Sequence, residues 1–373
     1  MRRIRLGHAP NCSSLGNVLN VLVWTQAAVG ALWVASEAWV ARRKRPGGAQ
    51  IAEPPAVLID GEPGTVEAHV QVTTACALPC PTCHVDPRAD GTHVPLDVLD
   101  ARFADLARRG VFHVAIGGGE SLRHPDLPAI ADLAHRHGLT IGLTTSGVGL
   151  RDARALAAFD QVNVSLDGVG AVYAEARGYD GGALALAAIR ALSAQVRVGV
   201  NVVLDRNTFP HLGETAGAAV EAGARDVHLL RLKPAGRGTR DYLDRRLTPA
   251  QAREVWPAAV ALMERHPDVT VRADCAMLPL LAAHGLDPER MRAFLFFGCH
   301  GGDALVSVDA AGGEHPCSFA RGPADARWKT GVLGEPCGSC AYRDLCRGGC
   351  HAVAEHLTGD RFAPDPECPM VAS

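Results

Sequence analysis

The chain has 373 residues, 47% of them hydrophobic and 21% charged, with a formal charge of −3. That length can bury a large core and hold more than one domain; near-balanced charge, with Arg42-Arg43-Lys44-Arg45 as the one basic run, excludes a broad nucleic-acid footprint. The twelve cysteines are bunched, three near Cys76 and seven from Cys299 to Cys368, with Cys12 and Cys275 apart, which points to metal binding rather than a secreted disulfide framework.

Residues 7–17 carry no motif with an assignable role, and Cys12 there reads as a turn residue. Residues 18–41 are strongly apolar with basic residues on both sides, yet Asn20, Gln26 and Glu37 would be costly in hydrocarbon, and the uninterrupted apolar core is short of the ~20 residues a span needs. A cleaved signal peptide is disfavoured because "ARRKR" follows the apolar run. Two readings stay open, a helix buried on the protein or a partner, and membrane contact; the expected location is cytoplasmic, with membrane association through this helix as the variant. Residues 46–66 form a Pro/Gly-rich linker.

From residue 67 to 240, β-type runs alternate with helical patterns. The strands are "AHVQVTT", "VFHVAIGGG", "LTIGLTTSG", "QVNVSLDG", "VRVGVNVVL" and "RDVHLLRL". Helical segments between them include "PLDVLDARFADLARRG", "DLPAIADLAHRHG", "RDARALAAF", "GALALAAIRALSA" and "HLGETAGAAVEAG". Six βα repeats imply an α/β fold, a parallel sheet curled into a partial (β/α)6 TIM-type barrel, with its working residues where strands end. A helical bridge follows over 241–290, and 291–373 is a small cysteine-rich domain that needs its cysteines as staples.

The first strand runs into "TTACALPCPTCHV", where Cys76, Cys80 and Cys83 offer three thiolates. A structural zinc site wants four ligands, and His84, next to Cys83, is poorly placed to be the fourth. Three ligands suit a 4Fe-4S cluster with one iron left open. The second strand ends in "GGGE", where glycines let backbone approach a ligand and Glu120 can hold an ammonium; alone, this is an ordinary βα turn. "TTSG" and "SLDG" put Ser146, Ser165 and Asp167 at the next strand ends, where they can bind a ribose or carboxylate or simply cap the strand.

This cysteine spacing after a first strand resembles the radical S-adenosylmethionine (radical SAM) family. The resemblance implies that Cys76, Cys80 and Cys83 hold a 4Fe-4S cluster, and that Gly118, Gly119 and Glu120 receive the amino group of S-adenosylmethionine (SAM). Ser165 and Asp167 would lie on the ribose side, and Arg177 would meet the SAM carboxylate. Asn201 and the "LKPAGRG" turn also match family positions. The tail, Cys299, Cys317, Cys337, Cys340, Cys346, Cys350 and Cys368, is similar to the SPASM domain, which carries two auxiliary clusters. By that resemblance Cys337, Cys340, Cys346 and Cys368 hold the distal cluster, and Cys299, Cys317 and Cys350 the proximal one. Cys275 is either its fourth ligand or a buried thiol.

The family cleaves SAM to a 5′-deoxyadenosyl radical that takes a hydrogen atom from an unactivated carbon. SPASM members mostly modify ribosomally made peptides or proteins, with electrons from a donor such as flavodoxin or ferredoxin. No catalytic side chain is assigned: where the sulfatase-maturing branch has an aspartate as proton acceptor after the cysteine matching Cys317, this chain has Ser318. The segment before residue 67 is too short for a winged-helix leader-binding module of ~80 residues, so a peptide would need a separate recognition protein or the N-terminal helix. The alternatives are a radical SAM dehydrogenase or mutase on a small molecule, and a non-catalytic iron-sulfur electron carrier or scaffold.

Overall fold

The computed structural model describes residues 65–293, 297–332 and 334–371, so residues 7–17 with Cys12, and the apolar residues 18–41, lie outside it. Strands β1 (Glu67–Thr73), β2 (His113–Gly118), β3 (Thr140–Thr145), β4 (Gln161–Ser165), β5 (Val198–Leu204) and β6 (Asp226–Arg231) follow the six predicted runs. Each pairs in parallel with the next, and a seventh parallel strand, β7 (Thr270–Ala273), extends the row beyond β6. On the other flank β8 (Leu305–Val308), from the cysteine-rich region, pairs in parallel with β1 and turns back into the antiparallel β9 (Glu314–His315). The sheet therefore runs β7-β6-β5-β4-β3-β2-β1-β8-β9, an open barrel of the expected class with additions at both edges.

The crossovers are α1 (Leu96–Arg108), α2 (Leu127–Arg136), α3 (Ala171–Arg177), α4 (Gly182–Ser193) and α5 (Leu212–Glu221). In α1, Leu99, Phe103 and Leu106 form an i, i+4, i+7 stripe that is buried on the sheet. Helix α6 (Pro249–Arg265) starts on a capping box between Thr248 and Gln251, with proline at its first position. The segment "RDARALAAF", expected as a helix, is only a 3₁₀ turn at Ala153–Leu156. Asp152 caps it by accepting from the Arg154 amide, and Gly147 and Gly149 take up part of the short connection. Among the described residues, no helix is long and apolar enough to cross a membrane.

Strand β1 shows how the sheet makes a site. Ala68, Val70 and Val72 join the hydrophobic core. The alternate residues Glu67, His69 and Gln71 are polar and share the opposite face, on which His69 and Gln71 line a cavity. Each fully buried aliphatic side chain contributes about 1.5–3 kcal/mol, so the apolar face fixes the register that turns the polar face inward.

Candidate functional site

Two adjacent strand ends form the floor of the site. Beyond β1 the chain enters the cysteine loop, while the end of β2 bonds back to it through Gly119 N–H to Thr73 O (2.8 Å) and Glu120 N–H to Ala75 O (2.9 Å). Gly118 has φ +122°, and a Cβ there would lie 2.2 Å from Thr73 O; one on Gly119 would lie 2.3 Å from Ala75 O. The glycines are thus needed first so that β2 can close on the root of the cysteine loop, while both still line the cavity.

That cavity, ≈ 260 Å³, brings together the loop cysteines Cys76, Cys80 and Cys83 with Gly118, Gly119, Glu120, Ser146, Ser165, Asp167 and Arg177. Burial raises the Cys76 and Cys80 thiols, while the guanidinium of Arg237 acts against this at Cys76 and that of Arg177 at Cys80. Two cations therefore face a loop whose thiolates must carry negative charge to bind metal.

Glu120 is buried and its carboxylate accepts four hydrogen bonds. Leu122 N–H (3.1 Å) and Thr145 Oγ1 (2.5 Å) reach Oε1; Ser146 N–H (2.8 Å) and Oγ (2.5 Å) reach Oε2. Those donors fill the carboxylate's usual lone-pair sites, so Glu120 offers the cavity its charge rather than a free acceptor. Ser146 spends its hydroxyl hydrogen on Glu120 and accepts from Val148 N–H, which makes it a support for that carboxylate. Asp167 accepts from Val203 N–H at 2.7 Å and from Arg177 Nη1 at 3.0 Å; burial raises its carboxyl despite the arginine. Arg177 Nε is buried without a hydrogen-bond partner among the described residues.

A second cavity, ≈ 40 Å³, is lined by Cys275, Cys299, Cys317 and Cys350. Cys275 opens a 3₁₀ turn just beyond β7, so the unpredicted strand delivers it to the same end of the barrel as the other sites. Burial pushes Cys350 up to about 11 and Cys317 to about 12, and lifts Cys275 and Cys299 as well. Cys337, Cys340, Cys346 and Cys368 make a separate group: burial raises Cys337 to about 11, and the charges of Cys368 and Cys340 add to it. Burial likewise raises Cys346, with Cys368 and Cys337 acting in the same direction.

The first two cavities share a wall made of His69, Lys233, Ser318 and Phe319. Ser318 Oγ lies 2.9 Å from His69 Nδ1, and His69 Nε2 lies 3.2 Å from buried Glu67 Oε1. Lys233 is paired with Asp274 and stands 4.3 Å from the centroid of the Phe319 ring. From the sequence, Lys233 was marked within the "LKPAGRG" turn and Ser318 as standing where a proton-accepting aspartate is absent; His69 and Phe319 were missed, and the available signal for His69 was polar residues at alternate positions of β1.

Barrel, strand-end constellation and cysteine loop define a radical SAM enzyme, and comparison with known proteins agrees. The radical SAM superfamily profile matches residues 70–217. The chain is 33% identical over 332 residues to mycofactocin maturase MftC of Mycobacterium tuberculosis (H37Rv), covering 80% of this chain and 81% of that protein. With PqqA peptide cyclase of Methylocella silvestris it shares 28% over 321 residues, covering 80% and 86%. This chain belongs to the radical SAM superfamily, with SAM and a 4Fe-4S cluster as its cofactors. Its fold is that of Streptococcus suis SuiB, solved with the precursor peptide SuiA (TM-score 0.69, 13% identity, 91% of this chain and 89% of that one). It also matches anSMEcpe solved with AdoMet and the Cp18Cys peptide (TM-score 0.60, 16% identity, 82% and 94%).

Proposed function

We propose that this enzyme modifies a ribosomally made peptide or protein by hydrogen-atom abstraction, using one SAM-binding and two auxiliary 4Fe-4S clusters. The observation that carries the reading is the convergence of Cys76, Cys80 and Cys83 with Gly118–Glu120, Asp167 and Arg177 on one cavity at the strand ends. When bound there, SAM supplies on one-electron reduction a 5′-deoxyadenosyl radical that takes a hydrogen atom from the substrate. Cys76, Cys80 and Cys83 hold the cluster. Arg177, which lines the cavity, would meet the SAM carboxylate, and Asp167 would fix the guanidinium for it. Glu120, locked by Thr145 and Ser146, places negative charge toward the SAM amino group. Ser165 and Asn201, whose buried Oδ1 has no partner among the described residues, face the ribose.

Cys275, Cys299, Cys317 and Cys350 would hold the proximal auxiliary cluster, and Cys337, Cys340, Cys346 and Cys368 the distal one. The shared cavity favours Cys275 as fourth ligand over the lone buried thiol. Ser318, His69 and Glu67 form the hydrogen-bonded path along which a substrate proton leaves the first cavity. The peptide reading draws on the relatives MftC and PqqA peptide cyclase, whose names are those of a maturase and a peptide cyclase. A flavodoxin- or ferredoxin-like donor supplies the electron, and a separate recognition protein can present the peptide. Anaerobic reconstitution tests this directly. About twelve irons per chain are expected from three 4Fe-4S clusters, with 5′-deoxyadenosine release that rises when the peptide from a neighbouring small reading frame is added. A count near four, or reduced protein that never cleaves SAM, overturns it.

A further inference from the structure

The two four-cysteine groups are joined through one residue. Asp365 Oδ2 accepts from Cys350 N–H at 2.9 Å, and the backbone carbonyl of the same residue accepts from Cys368 N–H at 3.0 Å. Cys350 belongs to the first group and Cys368 to the second, so a path of two hydrogen bonds and one residue runs between them. Asp365 is 1% exposed, and Arg231, at the end of β6, grips it with two bonds, Nη1 to Oδ2 at 2.7 Å and Nη2 to Oδ1 at 2.9 Å. Arg231 is tied in turn to Ala276 O, next to Cys275, and to Glu367, next to Cys368. A buried ion pair of this kind costs much desolvation and is weak evidence of a purely stabilising role. Its placement beside both cysteine groups is what calls for an explanation.

From this geometry we infer that Asp365, held by Arg231, couples the two auxiliary sites electronically. It is the hydrogen-bonded bridge for an electron passing between them, and a shared negative charge that sets both reduction potentials together. The transfer balances without protons or bond changes: one reduced 4Fe-4S cluster loses one electron and the other, oxidised, gains it. The inference rests on the two-cluster reading above.

The test is a redox titration followed by electron paramagnetic resonance on reconstituted full-length protein, with iron counting, for the native chain, Asp365→Asn and Arg231→Lys. Removing the shared charge in D365N raises both auxiliary midpoint potentials in parallel, by about tenfold in each reduction equilibrium, or roughly 59 mV for a one-electron couple. R231K keeps the charge but breaks the two-point grip; both potentials shift together by less, and it remains informative if D365N does not assemble. One auxiliary potential moving alone, or neither moving while about twelve irons are retained, overturns the bridge and leaves the cluster assignment standing. A native count near four irons overturns the assignment itself and the bridge with it.

Discussion

The cysteine loop is held from above by the turn after β6, which makes Gly236→Ala a sharp test of how the cluster site is built. Gly236 has φ +54°, and a Cβ on it would stand 2.6 Å from Cys83 O and equally close to the His84 carbonyl group. The next two amides donate to the same oxygen, Arg237 N–H at 2.8 Å and Gly238 N–H at 3.4 Å, while Arg237 Nη2 reaches Leu78 O at 3.2 Å. An L-residue in this left-handed region costs about 1–2 kcal/mol. To restore ordinary contact the Cys83 carbonyl would have to retreat by about 0.8 Å, enough to break the Arg237 bond at a further cost of about 1 kcal/mol. The total, roughly 2–3 kcal/mol, falls on the loop that carries Cys83 and leaves both auxiliary groups untouched. G236A should therefore lose about four of its roughly twelve irons, together with SAM cleavage, while the auxiliary signals persist in electron paramagnetic resonance. A variant with the full iron count and native SAM cleavage would refute the idea that this turn clamps the loop.

Glu120→Gln sets an amide against donors arranged for a carboxylate, and hydrogen bonds to a charged group contribute roughly 1.5–3 kcal/mol. SAM binding to the loaded protein, measured by equilibrium dialysis, should weaken at least about tenfold; an unchanged Kd would remove Glu120 from the cofactor site. His228, buried on β6, is pushed down to about 3 by burial and by Arg272, with Arg197 acting the same way and Asp226 against. Because its folded value lies below the ordinary imidazole value of 6.5, its contribution is complete above that pH and fades as pH falls. At pH 5 the loss is roughly 2 kcal/mol, so the gap between denaturant midpoints at pH 7 and pH 5 should narrow in His228→Leu; an equal gap would locate the acid sensitivity elsewhere. Membrane contact through residues 18–41 predicts that part of the full-length protein sediments with membranes until detergent is added, and protein found wholly in the high-speed supernatant without detergent would exclude it.

What could be read from the chain follows the physics of each segment. The six barrel strands were legible because parallel strands carry long β-branched runs between helical periods, and the three-cysteine loop because its spacing is local. Strands β7, β8 and β9 were not, having four, four and two residues; such lengths hold too little alternation to separate them from loop. Missing β7 also left the placement of Cys275 open, since that strand carries a cysteine far from Cys299 in sequence to the same cavity. Glu120 illustrates the converse. Its motif put it at a strand end on the cavity, but apart from the local Leu122 amide its hydrogen bonds come from Thr145 and Ser146 on a neighbouring strand end, a pairing that sheet register creates.

The same logic connects the barrel to its tail. β6 ends in Arg231, whose side chain goes to Asp365 and Glu367, and two residues later Lys233 goes to Asp274, beside Cys275. The turn that follows clamps Cys83. One strand end thus touches the SAM-site loop and residues beside both auxiliary cysteine groups, although the "LKPAGRG" sequence shows only glycines and cations. A single buried ion pair would have little reason to survive on stability grounds, since well-packed apolar residues of similar volume often do as well. Its position is better explained by charge: if the three cysteine sites hold clusters as proposed, cations belong among them, and the end of β6 with the turn beyond it places Arg231, Lys233 and Arg237 there, each paired with a carboxylate.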